Sequence, residues 1–256
     1  MIPKKIHYCW FGKGDLPELT VKCIESWKKL LPDYQIIEWN EENFNISSNL
    51  YVKQAYENKK YAFVSDYVRL YALYEEGGIY MDTDVEVIKK LDKFLNNKAF
   101  VGFEDEERIS TGIIGAEKHN LLIKELLDYY IDREFVRKDG SLDITTNVRI
   151  ITDMLLKYNF LPNNTLQEVK EMCIYPRTYF SPLTWNTKES YYTEDTYVIH
   201  HFAGSWRSEK QKKMENKYVY RVLKKFIQIM CIIFKRVCSE KLYNKFRKIY
   251  RKIVKY

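Results

Sequence analysis

The sequence predicts an α/β fold with a mainly parallel sheet flanked by helices. Three observations carry this. Short apolar runs of strand length alternate with longer stretches of helical periodicity through the first two hundred residues. Hydrophobic residues make up 46% of the 256, against 30% charged, a globular composition rather than a disordered one. No internal repeat or low-complexity linker interrupts the alternation.

In order, residues 6–11 (IHYCWF) read as a first strand, closed by Gly12 and Gly14. Pro17 opens a helix that runs to about Leu31, with Leu19, Cys23, Ile24, Trp27 and Leu30 at helical spacing. Residues 34–39 (YQIIEW) make a second short strand. Residues 62–76 form a helix with Phe63, Tyr67, Leu70, Tyr71 and Tyr74 on one face, and Gly77 and Gly78 stop it. Residues 79–88, 99–104 and 110–116 read as strands, and 120–131 and roughly 146–158 as helices. Pro162, Pro176 and Pro182 punctuate a loop-rich stretch, and residues 196–202 form a late strand before AGSW.

The net charge of +7 is unevenly placed. Residues 210–256 hold 16 of the 42 Lys and Arg and two of the 35 acids, so the tail carries +14 and the rest −7. The organisation expected is therefore a domain over 1–209 and a basic helical extension over 210–256. Within the tail, Leu242, Phe246, Ile249 and Ile253 fall at helical spacing among lysines and arginines. Such a helix suits an anionic membrane surface, and equally suits packing on the domain with its lysines solvated. No nucleic-acid motif accompanies the basic patch. The cysteines (9, 23, 173, 231 and 238) are odd in number and lack a Cys-x-x-Cys pair, which fits a reducing compartment. The start has no signal-peptide pattern, and no window of 18 apolar residues spans a bilayer.

The stretch EEGGIYMDTDVEV sets two aspartates, Asp82 and Asp84, inside a run that reads as strand. Asp is depleted in strands. Period two puts both carboxylates on one face, where they repel unless a cation or proton intervenes. Oxygen ligands of this kind suit Mg²⁺ or Mn²⁺. Alone, the pair is also what a solvated turn looks like. On the preceding helix, Asp66 and Arg69 stand three apart beside Ser65, giving a polar face. That face reads either as a surface ion pair or as a surface turned to a ligand, with Gly77 and Gly78 allowing close backbone approach.

The whole run AFVSDYVRLYALYEEGGIYMDTDV resembles the DXD-containing sugar-transferase family of glycosyltransferases, whose members read A-x-x-SD-x-x-R-x-x-x-L-x-x-x-GG-x-Y-x-D-x-D. Ala62, Ser65, Asp66, Arg69, Leu73, Gly77, Gly78, Tyr80, Asp82 and Asp84 fall into place. It is similar to the α-1,6-mannosyltransferase-like family 32 enzymes and, more distantly, to the catalytic domains of large clostridial glucosylating toxins. The opening IPKKIHYCWFG and the late HHFAGSW resemble the same family's start and end signatures.

The resemblance implies a GT-A (Rossmann-like) fold and transfer of a hexose, with retention, from a UDP- or GDP-sugar to a hydroxyl of a glycan or lipid-linked glycan. It implies Mn²⁺ or Mg²⁺ held by Asp82 and Asp84, with His200 or Ser205 completing the shell. Asp82, Asp84 and Arg69 would be catalytic. Trp10 would stack on the base, Ser65, Asp66, Gly78 and Tyr80 would line the sugar, and Ser205 and Trp206 would close over the diphosphate. Thr111 and Gly112 occupy the place of donor-sugar contact, and Asn147 would face the anomeric carbon, although a capping role for Thr145 or Thr146 also explains that segment. His200 and His201 face opposite sides of a strand, so one is expected at the metal, and His200 is the choice. His7 and His119 read as structural or exposed.

The expected setting is surface polysaccharide or capsule synthesis in a bacterium, on the cytoplasmic face of the cell membrane. Toxin-like glycosylation of a protein is an alternative. A phosphohydrolase of the haloacid-dehalogenase type is a second, since IYMDTDVEV partly fits its motif. Against that, the pair follows a helix and twin glycines, and Trp10 and HHFAGSW are left unexplained. A non-catalytic carbohydrate- or membrane-binding protein is the third.

Overall fold

In the computed structural model, residues 1–184 and 189–204 are described; residues 185–188 and everything from 205 on, the basic tail and the expected 209/210 boundary included, lie outside the described residues. The strands are β1 (Lys5–Cys9), β2 (Gln35–Trp39), β3 (Gly78–Met81), β4 (Val85–Val87), β5 (Ala99–Phe103), β6 (Ile109–Ala116), β7 (Gln167–Val169), β8 (Met172–Tyr175) and β9 (Val198–His200). The helices are α1 (Glu18–Leu30), α2 (Leu50–Glu57), α3 (Tyr61–Glu76), α4 (Leu121–Asp128), α5 (Asn147–Leu155) and the short α6 (Arg177–Phe180).

Seven strands form one sheet in the order β2-β1-β3-β6-β5-β8-β7, and β4 pairs with β9 in a separate ribbon. β2, β1, β3, β5 and β8 run one way; β6 and β7 run against them. Strand alternation divides the core. Ile6, Tyr8, Ile79, Met81, Phe100 and Ile113 pack with Cys23, Ile24 and Trp27 of α1 on one face. Cys9, Tyr80, Val101, Phe103 and Ile114 pack under α2, α3, α4 and α5 on the other. Both faces are covered, so the central strands are buried along their whole length. The α/β expectation holds, with helices on both sides.

From β1 the chain passes through α1 to β2 on one side and later returns to β3 on the other. The order reverses there, and in open α/β sheets the crevice beyond the carboxyl ends of such strands is where ligands bind. Trp10 follows β1 and Asp82 follows β3, so both lie at that crevice.

Four expectations need correction. The strand foreseen over 79–88 is broken: β3 ends at Met81, residues 82–84 turn, and Val85–Val87 belongs to the ribbon with β9. Asp82 and Asp84 therefore converge across a turn, not along one strand face. The loop-rich stretch around Pro162 and Pro176 holds β7, β8 and α6, which are three or four residues each, too short for a periodic signal. α2, capped where Asn49 accepts from the Val52 N–H at 3.2 Å, was not foreseen. The late strand is also shorter than expected, β9 spanning three residues.

Candidate donor and metal site

The turn after β3 is fixed at both ends. Asp82 N–H donates to Gly112 O on β6 (2.8 Å), and Val85 N–H donates back to Asp82 O (3.0 Å). The ribbon then brings in the other half. Val85 stands opposite His200, and His201 N–H donates to Asp84 O at 3.0 Å. Helix α1 holds the ribbon in place, with Trp27 Nε1 donating to Val85 O (2.7 Å) and Val87 N–H to Ser26 Oγ (2.9 Å).

The result is a three-residue constellation. His200 Nε2 lies 3.3 Å from Asp84 Oδ1 and 4.0 Å from Asp82 Oδ2. One ligand atom from each of Asp82, Asp84 and His200 falls within 4.8 Å of the others. Asp84 Oδ2 accepts from Ala203 N–H at 2.7 Å. Burial acts to raise the Asp84 carboxyl, but the charge and hydrogen bond of His200, with the Ala203 N–H, outweigh it and hold the group down at about 2. For His200, burial disfavours the charged ring, yet the Asp84 carboxylate, with Asp82 and Glu104 behind it, raises its pKa above the ordinary value. His200 stacks on Phe202 with 4.0 Å between centroids. His201 points the other way, to Glu86 Oε2 at 2.8 Å, as the alternation of a strand requires. Two carboxylates and an imidazole nitrogen within one ligand-sized gap fit a divalent cation.

Behind the acids stands Arg69, 5% exposed. Its Nη1 donates to Thr111 O (2.8 Å) and its Nε to Ser65 O (3.2 Å). Nη2 lies 3.1 Å from Asp66 Oδ1 and 3.3 Å from Asp82 Oδ1, and the guanidinium sits 4.6 Å over the Tyr80 ring. Tyr80 Oη also donates to Asp82 Oδ1 at 3.0 Å. Arg69 and Tyr80 thus aim one oxygen of Asp82 and leave the other towards His200. Both are buried side chains, and both position Asp82.

Other site residues are similarly redirected. Asp66 is buried; burial pushes its carboxyl up to about 6, with the Asp82 charge adding and Arg69 and the Asn147 N–H opposing. Asn147, 1% exposed, donates its N–H to Asp66 Oδ2 (3.3 Å) and Nδ2 to Asp66 O (2.6 Å), and accepts from Tyr130 Oη (2.6 Å). It pins α5 to α3. Ser65 Oγ bonds back to Tyr61 O at 3.1 Å. Gly78 lies at the far end of β3 from the acids; its φ is +118°, and a Cβ there would meet Lys5 O at 2.8 Å. Its need is close strand packing, not approach to a ligand. Gly112 does reach the site: a Cβ would meet His200 Nδ1 at 2.7 Å, so this glycine makes room for the ring. Thr111 is 7% exposed and serves through its carbonyl. Trp10 is partly buried, its indole N–H donating to Gly14 O at 2.7 Å. His7 is structural: its Nδ1 accepts from Trp39 Nε1 (3.0 Å), its Nε2 donates to Gly77 O (2.8 Å), and burial lowers its pKa. Ser205 and Trp206 lie outside the described residues.

Residues 17–101 match the family described as "Glycosyltransferase sugar-binding region containing DXD motif". The chain carries that sugar-binding region. The DXD pair lies inside it, while Trp10 and His200 stand on either side. Inositol phosphoceramide mannosyltransferase 3 of Schizosaccharomyces pombe is 33% identical over 128 residues, 48% of this chain and 36% of its own. An uncharacterized glycosyltransferase of Acanthamoeba polyphaga mimivirus is 26% identical over 240 residues, 87% of this chain and 92% of its own. The chain spans about a third of the fungal relative and nearly all of the viral one. Among solved structures, the PaToxG glycosyltransferase overlaps 61% of this chain and 69% of its own, with 21% identity and a TM-score of 0.46, a partial overlap that adds no weight.

Proposed function

We propose that the chain is a metal-dependent, retaining glycosyltransferase of the GT-A kind that moves a hexose from a UDP- or GDP-sugar to a hydroxyl of a glycan or lipid-linked glycan. One observation carries this: Asp82, Asp84 and His200 bring ligand atoms within 4.8 Å of one another, beside the point where the sheet order reverses. The DXD sugar-binding match supports the donor class. The fungal relative, by its name a mannosyltransferase acting on an inositol phosphoceramide, supports a hydroxyl of a lipid headgroup as acceptor.

A divalent cation held by these three side chains would offset the negative charge that gathers on the departing nucleoside diphosphate. The protein's own part is preorganisation. Tyr80 and Arg69 fix Asp82; Ala203 N–H and His200 fix Asp84; α1 fixes the ribbon that joins them. Trp10, just beyond β1, is the residue assigned here to stack on the base. With both acids committed to a cation, neither serves as nucleophile. Retention then means attack from the departing side, the diphosphate taking the acceptor proton. A haloacid-dehalogenase role fits poorly, because it gives no part to His200, which faces both acids.

The setting belongs to the same proposal: surface polysaccharide synthesis at the inner face of a bacterial membrane, with the basic tail on anionic lipid. Among the described residues no helix is long and apolar enough to cross a membrane. A screen of UDP- and GDP-sugars with Mn²⁺, Mg²⁺ or chelator, reading nucleotide release, tests the chemistry. Release from at least one donor, abolished by chelator, is expected; no release with any donor and metal, and no Mn²⁺ binding, overturns the reading. Co-sedimentation of the full chain with phosphatidylglycerol vesicles but not phosphatidylcholine vesicles tests the tail.

A further inference from the structure

The proposed function, on which this inference rests, gives the donor the acid turn and the β1 side of the crevice. The acceptor must then come from the other flank. β5 is two strands from β3 and runs the same way, so its carboxyl end opens on the same edge. Glu104 is the first residue past that end. Its N–H donates to Arg108 O (2.7 Å), closing the tip of the β5–β6 hairpin, and Arg108 Nη2 lies 3.2 Å from its Oε1. The Glu104 side chain is only 14% exposed. β8 pairs in parallel with β5 with Tyr175 opposite Gly102, so Arg177, two residues past Tyr175, comes to the same edge as Glu104. A little-exposed carboxylate thus stands at the sheet edge that carries the site, and none of the chemistry above uses it.

Helix α6 is packed against the same strand: a Cβ at Gly102 would meet Phe180 at 2.7 Å, and Ser181 Oγ lies 3.3 Å from Ser110 Oγ on β6. This helix carries Arg177, 4% exposed. Its Nη2 donates to Leu183 O (3.2 Å), its Nη1 lies 3.7 Å from Glu106 Oε1, and the guanidinium sits 4.6 Å over the Tyr191 ring. Its Nε, fully buried, has no hydrogen-bond partner among the described residues. An unused N–H in a dry site costs about 1–3 kcal/mol, so it is retained where something else uses it. A carboxylate only accepts hydrogen bonds and a guanidinium only donates them. A sugar hydroxyl does both, so neighbouring hydroxyls of one ring satisfy the pair together.

We propose that Glu104 and Arg177 form the acceptor subsite, binding hydroxyls of a neutral sugar on the β5–α6 flank of the crevice.

The test uses the full chain, the donor found in the nucleotide-release screen, and two probe acceptors, methyl α-D-mannopyranoside and methyl β-D-galactopyranoside, with glycerol as a third. Glu104→Gln keeps the shape and removes the charge. It should raise KM for the accepted probe about tenfold or more, the worth of a hydrogen bond to a charged group, with donor KM within about twofold. Glu104→Asp should recover part of the loss, and Arg177→Lys should raise probe KM by a smaller factor. Thermal melting of each variant separates these effects from unfolding. The proposal is overturned if donor KM rises as much as probe KM, if probe KM does not move in a folded variant, or if the wild-type chain glycosylates none of the three probes. A wild-type chain that releases no nucleotide from any donor is a different failure: it sinks the glycosyl-transfer reading itself, and this subsite with it.

Discussion

Two acidic groups sit close together in this molecule and behave in opposite ways. Around α3, Asp66, Arg69 and Asn147 form a closed network whose polar atoms are largely matched, with the Arg69 side chain 6% exposed. At the turn beyond β3, the Asp82 side chain is 26% exposed, and two carboxylates converge on one imidazole. The acids of both groups belong to the same continuous sequence motif. The difference teaches that the motif is divided in labour: one half builds and aims, and the other, on the proposed function, grips. A residue within a binding motif need not touch what is bound.

The sharpest way to break this comparison is to remove the grip. Asp84→Asn should abolish measurable Mn²⁺ binding and lower nucleotide release by about 100-fold or more, since a buried cation site loses charge and ligand together. Isothermal titration with Mn²⁺ and a donor turnover assay read the two effects, and an unaltered metal response would show that the acids do not hold a cation. Next in size is the aiming half. Asn147→Ala leaves the Tyr130 hydroxyl and the Asp66 carbonyl without their partner, and should cost about 2–3 kcal/mol of stability in denaturant unfolding. It should change donor KM far less than Asp84→Asn does; a large KM change in a stable protein would return Asn147 to the substrate.

A smaller effect is expected from Gly112→Ala. Its added methyl meets the His200 ring at 2.7 Å, where ring and neighbours must shift. Mn²⁺ affinity should fall about tenfold while the melting temperature moves little, because the ring is a ligand before it is a strut. Last comes pH. His200 must lose its proton to bind a metal, and Asp84 raises its pKa above the ordinary value. Mn²⁺ affinity should therefore rise with pH through a midpoint above that of a free histidine, and fall below it. An affinity flat between pH 6 and 8, roughly the window of a perturbed imidazole, would remove His200 from the shell.

Much of the fold was legible because its largest elements are strongly periodic. α1 and α3 carry apolar stripes and end at recognisable stops, and β1, β2 and β6 are short apolar runs. The break at residues 82–84 was hidden for a physical reason: IYMDTDVEV keeps period two straight through the turn, and only pairing with β9 reveals that Val85 and Val87 serve a different sheet. The meeting of Asp82, Asp84 and His200 was legible, since the acid pair and the late histidine come from motifs that resemble a family. The roles of Arg69, Tyr80, Gly78 and Asn147 were not. Type and spacing mark a residue as belonging to a motif, but only burial and partners separate a ligand contact from a support. Glu104 gave no functional signal: it reads as the last residue of the 99–104 strand, ahead of an acidic run.

The ribbon of β4 and β9 has a consequence for how the molecule comes into being. Ala203 N–H meets Asp84 across 119 residues of chain, and the ladder between them is three residues long. Closing so long a loop for so few contacts is late and costly in entropy. A nascent chain that has emerged only as far as β8 would hold the complete DXD pair and still be unable to clasp a metal. Cation capture would then mark the end of folding, and metal should slow the opening of this last seam more than that of the central sheet.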